Sequence, residues 1–248
     1  MKIIKIAVGY LLFTVCTSAV CEESVIENLN KTLSSVIYIE SEVAGLFRTP
    51  HTAVRDKNTG KIAVATGIRA GKYKRSGAGV IVDKTGIAVT NAHIVINAKR
   101  ITVSLVNGQS YPAEITFVAP DEDIAFIKII AEIDFSPVFF SDSDNLTLNS
   151  RVFNVGASEV LKGSFSEGKV TGIGENRSQP PTDNENIDLI QTSFNVYKGD
   201  SGGPLLDYHG HFLGLIVGAK INTGHTSYAI PSNKVKKYLS DIQSGVPA

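Results

Sequence analysis

Three textures of hydrophobic and polar positions follow one another along the chain. Residues 1–21 place Lys2 and Lys5 ahead of an apolar run over Ile6–Val15, then small residues at Thr17, Ser18 and Ala19. A basic start, a short apolar core and a small-residue site describe a signal peptide for export, so the expected location is periplasmic or secreted. The run is shorter than the ~20 apolar residues of a membrane span. Cleavage after Ala19 or after Cys21 fits. A lipid anchor on Cys21 or a retained leader are the alternatives, although Val20 is larger than lipoprotein processing normally accepts. No other long apolar run follows, so the mature chain is expected to be soluble, with no stable membrane insertion.

A polar lead over 22–35 comes next, with helical potential over Glu22–Leu33. Val36–Ile39 is strand-like. Glu40–Arg75 shows scattered glycine and charge with no sustained period, and reads as a long loop with a short hairpin inside. From Gly77 the texture becomes short β-rich runs broken by turn residues. Ala78–Val82 and Ile87–Thr90 flank Asp83-Lys84-Thr85-Gly86, and Ile101–Leu105 and Tyr111–Val118 flank Asn107-Gly108, both hairpin signals. Ile124–Ile129 and Val138–Phe140 complete a first block. Arg151–Val155, Phe165–Ile173, Leu189–Ser193, Pro204–Leu206, Phe212–Val217 and Tyr228–Ile230 form a second, interrupted by a polar loop containing Pro180 and Pro181. Ser232 then caps a helix with Val235, Tyr238, Leu239 and Ile242 on one face. Many short strands and few helices predict an all-β barrel or sandwich. The break at Ser141–Asn149 divides the strands evenly, which suits two barrels side by side.

Composition narrows the chemistry. The chain of 248 residues is 43% apolar and 19% charged, which excludes a disordered polymer. Lys plus Arg is 24 and Asp plus Glu is 24, so there is no basic footprint and no nucleic-acid partner is expected. Both cysteines, Cys16 and Cys21, lie in the leader, which removes any disulfide scaffold or cysteine zinc site from the body. His209 and His211 flank Gly210 in a turn, but two histidines make a thin metal site. No metal and no cofactor are expected.

Gly199-Asp200-Ser201-Gly202-Gly203-Pro204 is the most informative stretch. A serine nucleophile needs an exposed hydroxyl with backbone N–H groups aimed at one point, and flanking glycines permit that turn. Thr90-Asn91-Ala92-His93-Ile94-Val95 ends a strand and starts a helical turn, which suits His93 as general base. Asp123 directly precedes the apolar strand Ile124–Ile129 and is the carboxylate best placed to orient His93; Asp121 and Glu122 fit a solvated turn. The order His93, Asp123, Ser201 is that of double-barrel serine proteases.

Taken together these motifs resemble the chymotrypsin-like serine peptidases, and within them the HtrA/Deg group. Ile190-Gln191-Thr192 leading into the serine motif, and Tyr228-Ala229-Ile230-Pro231-Ser232, add to the likeness, which spans about Val36 to Leu239. The resemblance implies two six-stranded β-barrels, about 36–140 and about 150–230, with a C-terminal helix over 232–242, in one protease domain over 36–242. It implies a catalytic triad of His93, Asp123 and Ser201 in the cleft between barrels, and an oxyanion hole from the N–H groups of Gly199 and Ser201. Glu40–Arg75 falls where the group carries a variable regulatory loop. Asn195, six residues before Ser201, stands at the floor of the primary pocket. Ile216, Val217 and Gly218 line its wall and pair with substrate backbone as an added strand. A strict Arg or Lys preference is not expected. Apolar walls favour an aliphatic residue, and Phe194 and Asn195 leave a polar one as the alternative.

Three departures from the group stand out. The stretch after Val235 is too short for the usual peptide-binding PDZ domain, so regulation by that route is not expected. Asp200 replaces the usual Asn and is expected to find a cation, Lys198 being nearest in sequence, or to stay solvated. Tyr197 and Lys198 replace a small turn and are able to reshape the oxyanion loop. The reading is a serine endopeptidase acting on proteins or peptides, with a role in protein quality control. The alternative is a protease-fold binding module, a holdase or adaptor with a closed active site. A homo-trimer built through the N-terminal region is expected by analogy alone.

Overall fold

Runs of β-branched and aromatic residues separated by turn chemistry close on themselves twice. The computed structural model describes residues 23–48, 52–55, 62–65, 68–156, 163–176, 188–219 and 226–245. The leader with its cysteines, His51, His225 and the Pro180–Pro181 loop lie outside the described residues. Helix α1 covers 23–32. Strands β1 (Val36–Arg48), β2 (Thr52–Arg55), β3 (Ile62–Ala65), β4 (Ile68–Ile81) and β5 (Ile87–Thr90) follow, then the single turn α2 (Ala92–Val95). Next come β6 (Ala98–Leu105), β7 (Ser110–Ala119), β8 (Ile124–Ile129), β9 (Arg151–Gly156), β10 (Ser164–Asn176), β11 (Asp188–Thr192), β12 (Pro204–Leu206), β13 (Phe212–Ala219) and β14 (Ser227–Pro231). Helix α3 (Ser232–Ser244) closes the described chain. The first barrel runs β1-β4-β5-β8-β7-β6 and the second β10-β11-β14-β13-β12-β9, each closed and six-stranded, with β2–β3 a separate two-stranded sheet. Closure removes the unpaired edges that an open sheet would expose. The chain is therefore an all-β, chymotrypsin-like double barrel.

The core is divided in three, and period-two alternation explains the division. Ile37, Ile39, Ile101, Val103, Ile127 and Ile129 fill barrel one. Val152, Val170, Ile190, Leu205, Leu213 and Ile216 fill barrel two. A third cluster is the seam: Val80, Val89 and Phe126 from barrel one meet Phe153, Phe212, Leu215 and Val217 from barrel two. Strand β8 shows why its sequence is a continuous apolar run. Ala125, Ile127 and Ile129 face the barrel interior while Ile124 and Phe126 face the seam. Burying a large side chain such as Phe126 or Phe212 stabilises by roughly 1.5–3 kcal/mol. Both α1, through Val25 and Leu29, and α3, through Val235 and Leu239, cover the same seam.

Three expectations need correction. Glu40–Arg75 is mostly strand: β1 and β4 pair from Val36↔Val80 out to Arg48↔Ile68, and β2–β3 is the hairpin within. Beyond Val43 strand β1 keeps its pairing with β4 but not with β6, so the arm extends past the barrel ladder. Its strands are tied by backbone pairing and by the exposed ion pairs Lys74–Glu40 at 2.7 Å and Lys72–Glu42 at 3.4 Å. Val138–Phe140 is not a strand; it lies against the seam with a lone parallel bridge from Phe140 to Phe212. Ser232 does not cap α3, because Pro231 occupies the cap position. The Ser232 hydroxyl instead donates to the Ser141 carbonyl at 2.7 Å, tying the helix to the inter-barrel linker.

Candidate active site

Strand β5 ends at Thr90, and Asn91 turns the chain into α2 with an extended backbone. Ala92, Ile94 and Val95 are buried there, which leaves His93 as the residue of the turn that faces outward, its side chain 41% exposed. Asp123 closes the 3-10 turn Pro120–Glu122 with a φ of 54°, a left-handed conformation that a non-glycine residue rarely adopts. That strain directs a nearly buried carboxylate at α2. Its Oδ2 lies 2.8 Å and its Oδ1 3.0 Å from His93 Nδ1, and Oδ1 also accepts from the His93 backbone N–H at 2.9 Å. A carboxylate only accepts, so Nδ1 carries a proton, and in the neutral ring Nε2 is the acceptor. The Asp123 carbonyl is held as well, accepting from Asn91 Nδ2 at 3.1 Å and from Ala92 N–H at 3.2 Å.

Ser201 enters from barrel two but is pinned to both barrels. Its carbonyl accepts from Ala78 N–H of β4 at 2.7 Å, and the next N–H, Gly202, donates to Ile216 of β13 at 2.7 Å. Two glycines make this approach possible. A Cβ on Gly202, whose φ is +83°, would lie 2.2 Å from the Ala78 carbonyl oxygen and 2.6 Å from Thr90 Oγ1. A Cβ on Gly77 would meet Ile94 at 2.3 Å and the Ser201 carbonyl at 2.9 Å. Gly77 is thus wedged between the turn that carries His93 and the residue that carries the hydroxyl, which brings these two segments together.

The contacts of the three residues are unequal. His93 and Asp123 are joined directly. The Ser201 hydroxyl donates to the Val217 carbonyl at 3.0 Å instead of to His93. Val217 sits at a register shift between Ile216 and Gly218 against β14, which takes its carbonyl out of the regular ladder. Gly199 has a φ of +106°. Among the described residues, neither the Gly199 nor the Ser201 N–H donates to a protein acceptor. Asp200 is 1% exposed, so the expected solvated state does not hold. Its Oδ2 accepts from Tyr197 N–H at 2.8 Å, and a buried carboxylate requires such donors. Tyr197 itself projects into solvent, 54% exposed.

The expected pocket residues divide by atom type. Asn195 is half-buried. Ile216 and Val217 bury their side chains in the barrel-two core and the seam, so what they offer a ligand is backbone. Thr90 and Asn91 were not singled out in the sequence. Thr90 Oγ1 donates to the Ala78 carbonyl at 2.7 Å, and Asn91 braces Asp123. Their signal was two adjacent polar residues inside an apolar stretch. His209 and His211 stack with ring centroids 5.5 Å apart; among the described residues no group of three or more metal-ligating side chains converges.

The Trypsin-like peptidase domain family matches residues 77–215, more than half of the chain and the whole stretch from Gly77 through Ser201. The chain belongs to this family. Serine protease HTRA1B of Danio rerio is 34% identical over 166 residues, covering 67% of this chain and 34% of the relative. Serine protease HTRA1 of Xenopus tropicalis is 34% identical over the same length and share of this chain, and 36% of its own. The chain therefore spans about a third of the length of these curated relatives. Among solved structures, the HtrA-type protease AlgW with a decapeptide aligns with a TM-score of 0.73 at 20% identity, covering 89% of this chain and 67% of that one. At that identity the likeness concerns the fold, and it agrees with the double barrel. Within the trypsin-like peptidases, this chain is similar to the HtrA members.

Proposed function

We propose that the protein is a serine endopeptidase that cleaves peptide bonds through an acyl-enzyme on Ser201. The observation that supports this reading is the His93 Nδ1–Asp123 pair, on a turn that meets the Ser201 backbone across Gly77, together with the N–H groups of Gly199 and Ser201, which make no hydrogen bond to protein among the described residues. Rotation about the Ser201 Cα–Cβ bond frees the hydroxyl from Val217. Oγ then adds to the substrate carbonyl carbon as its proton passes to His93 Nε2. The carbonyl oxygen gains the charge and is met by the N–H groups of Gly199 and Ser201. Collapse breaks the C–N bond, and the departing amine takes the proton from His93. Water then repeats the sequence on the ester, delivering its proton to His93 and releasing the acid and the free Ser201 hydroxyl. Asp123 keeps its charge throughout and holds the imidazole tautomer.

The substrate class is an extended peptide. The Val217 carbonyl and Gly218 present backbone for strand addition, and Asn195 stands at the floor of the primary pocket. The leader supports export, hence a periplasmic or secreted site of action, and protein quality control is the role that fits an HtrA-like enzyme there. A trimer built through α1 would rely on Ile26, 56% exposed, and polar neighbours, because Val25 and Leu29 are spent on the chain's own seam. Hydrolysis of casein and labelling of Ser201 by an organofluorophosphonate, both lost in Ser201→Ala, test the reading. Undiminished hydrolysis in Ser201→Ala would overturn it.

One observation favours the second reading, a holdase or adaptor: the Ser201 hydroxyl is turned toward Val217, beside a loop bearing the exposed Tyr197. Binding of unfolded protein by a wild-type chain that neither hydrolyses casein nor reacts with the probe would favour it.

A further inference from the structure

A helix of one turn cannot answer its own carbonyls. In α2 the Ala92 carbonyl accepts from Ile96 N–H at 2.8 Å, within the turn. The carbonyls that follow His93 are answered from elsewhere. Arg75 Nη1, from β4, donates to the His93 carbonyl at 2.9 Å and to the Ile96 carbonyl at 3.0 Å. Ser41 Oγ, from β1, donates to the Ile94 carbonyl at 2.5 Å and is fully buried. These two residues are direct cross-strand partners, Ser41↔Arg75, where the polar arm leaves barrel one. Beside them β1 breaks register against β6, between Glu42 and Val43. The guanidinium is itself braced: Nη2 donates to Tyr73 Oη at 2.6 Å, and its carbon lies 5.2 Å from the centroid of the Tyr73 ring. The neighbouring charges of the arm, Glu40, Glu42, Lys72 and Lys74, are engaged with one another on the surface.

We propose that Ser41 and Arg75 are positioning residues for His93. Asp123 grips the imidazole and the N–H side of α2, and the Ser41–Arg75 pair grips its carbonyl side. Neither face of the turn is then free to rotate the imidazole away from the cleft. The bond pattern favours this over simple filling of space. One guanidinium nitrogen, Nη1, bridges two carbonyls of a single turn while the other, Nη2, is anchored on Tyr73 Oη, and a lysine ammonium, with a single nitrogen, does not reproduce that two-point hold. The clamp also makes the arm part of the site, since anything that parts β1 from β4 at this rung releases the turn bearing His93. This inference rests on the proposed role of His93 as general base.

The test compares the full chain with Arg75→Met, Arg75→Lys and Ser41→Ala. The measurements are peptide hydrolysis, melting temperature, and the proton resonance of the His93 Nδ1–H that Asp123 accepts. Lys72→Met, in an exposed pair of the same arm, is the control and changes none of them. Arg75→Met is expected to lower kcat roughly ten- to a hundredfold with KM unchanged, the scale of a small misplacement of a reacting group. Arg75→Lys recovers part of that loss, Ser41→Ala falls between, and the Nδ1 proton signal broadens in step with kcat. Unchanged kcat and an unmoved Nδ1 signal in Arg75→Met and Ser41→Ala overturn the proposal, whatever happens to the melting temperature. If Arg75→Met does not fold, Arg75→Lys against wild type decides by the same two readouts. If the wild-type chain neither hydrolyses peptides nor labels at Ser201, the functional reading has failed. The Nδ1 signal alone then decides the clamp: broadening supports it, and persistence overturns it.

Discussion

The two barrels contribute unequally to the site. Barrel one supplies the proposed acid–base pair, with Asp123 held at both its carboxylate and its carbonyl and His93 turned outward from a buried helical turn. Barrel two supplies the proposed nucleophile, Ser201, whose backbone is firmly anchored but whose hydroxyl is turned to Val217. The interiors differ in the same sense. On the barrel-one side the buried polar residues Ser41, Thr90 and Asn91 each make a side-chain hydrogen bond, with Asn91 Oδ1 alone of their side-chain atoms left without a partner among the described residues. In barrel two, Asn154 on β9 is fully buried with neither Nδ2 nor Oδ1 hydrogen-bonded. The difference teaches that proton chemistry is prepared in advance on one side of the seam, while the other side retains a choice of hydroxyl rotamer.

The largest expected effect breaks the prepared half. Asp123→Asn should leave the fold intact and lower kcat by a factor on the order of 10⁴, because an amide can donate to Nδ1 and favours the wrong imidazole tautomer. Steady-state kinetics beside an unchanged circular dichroism spectrum check this, and a loss below tenfold would deny Asp123 its role. Next comes the joint between the halves. Gly202→Ala places a methyl group against the Ala78 carbonyl at a positive φ, and should cost about 3 kcal/mol of stability together with most activity. Denaturant unfolding measures it; a neutral substitution would mean that the seam is looser than the contacts indicate. The smallest effect sharpens the contrast of interiors. Asn154→Leu removes two orphaned polar atoms at similar volume, and should stabilise the protein by about 1 kcal/mol. A clear loss of stability would show that the amide is satisfied by a buried water or a ligand.

Much of this could be read from the chain alone. Strand β8 was legible to the residue because both its faces are buried, and β12 and the apolar face of α3 were legible for similar reasons. The arm over Glu40–Arg75 was not, because the glycines and charges scattered along it break the period that marks a strand, and its ladder is set by the pairing of β1 with β4. Val138–Phe140 erred the other way: Val138 and Phe140 pack on the seam while Phe139 is exposed, and such alternation without a ladder partner looks the same in sequence as a strand. For Asp200 the sequence left a cation or solvent open, because local sequence does not reveal that its turn folds inward and lends it the Tyr197 N–H.

By itself the sequence determined the fold class, the order His93, Asp123, Ser201, and the glycines needed beside the serine. Those follow from side-chain chemistry and from backbone freedom, which are local properties. Only the tertiary structure decided that Ser201 turns its hydroxyl to Val217, that Asn91 braces Asp123, and that Ser41 and Arg75 reach the carbonyls behind His93. Those contacts join residues far apart in the chain, and they exist only because barrel closure brings β1, β4 and α2 together and the seam brings β13 to the serine loop.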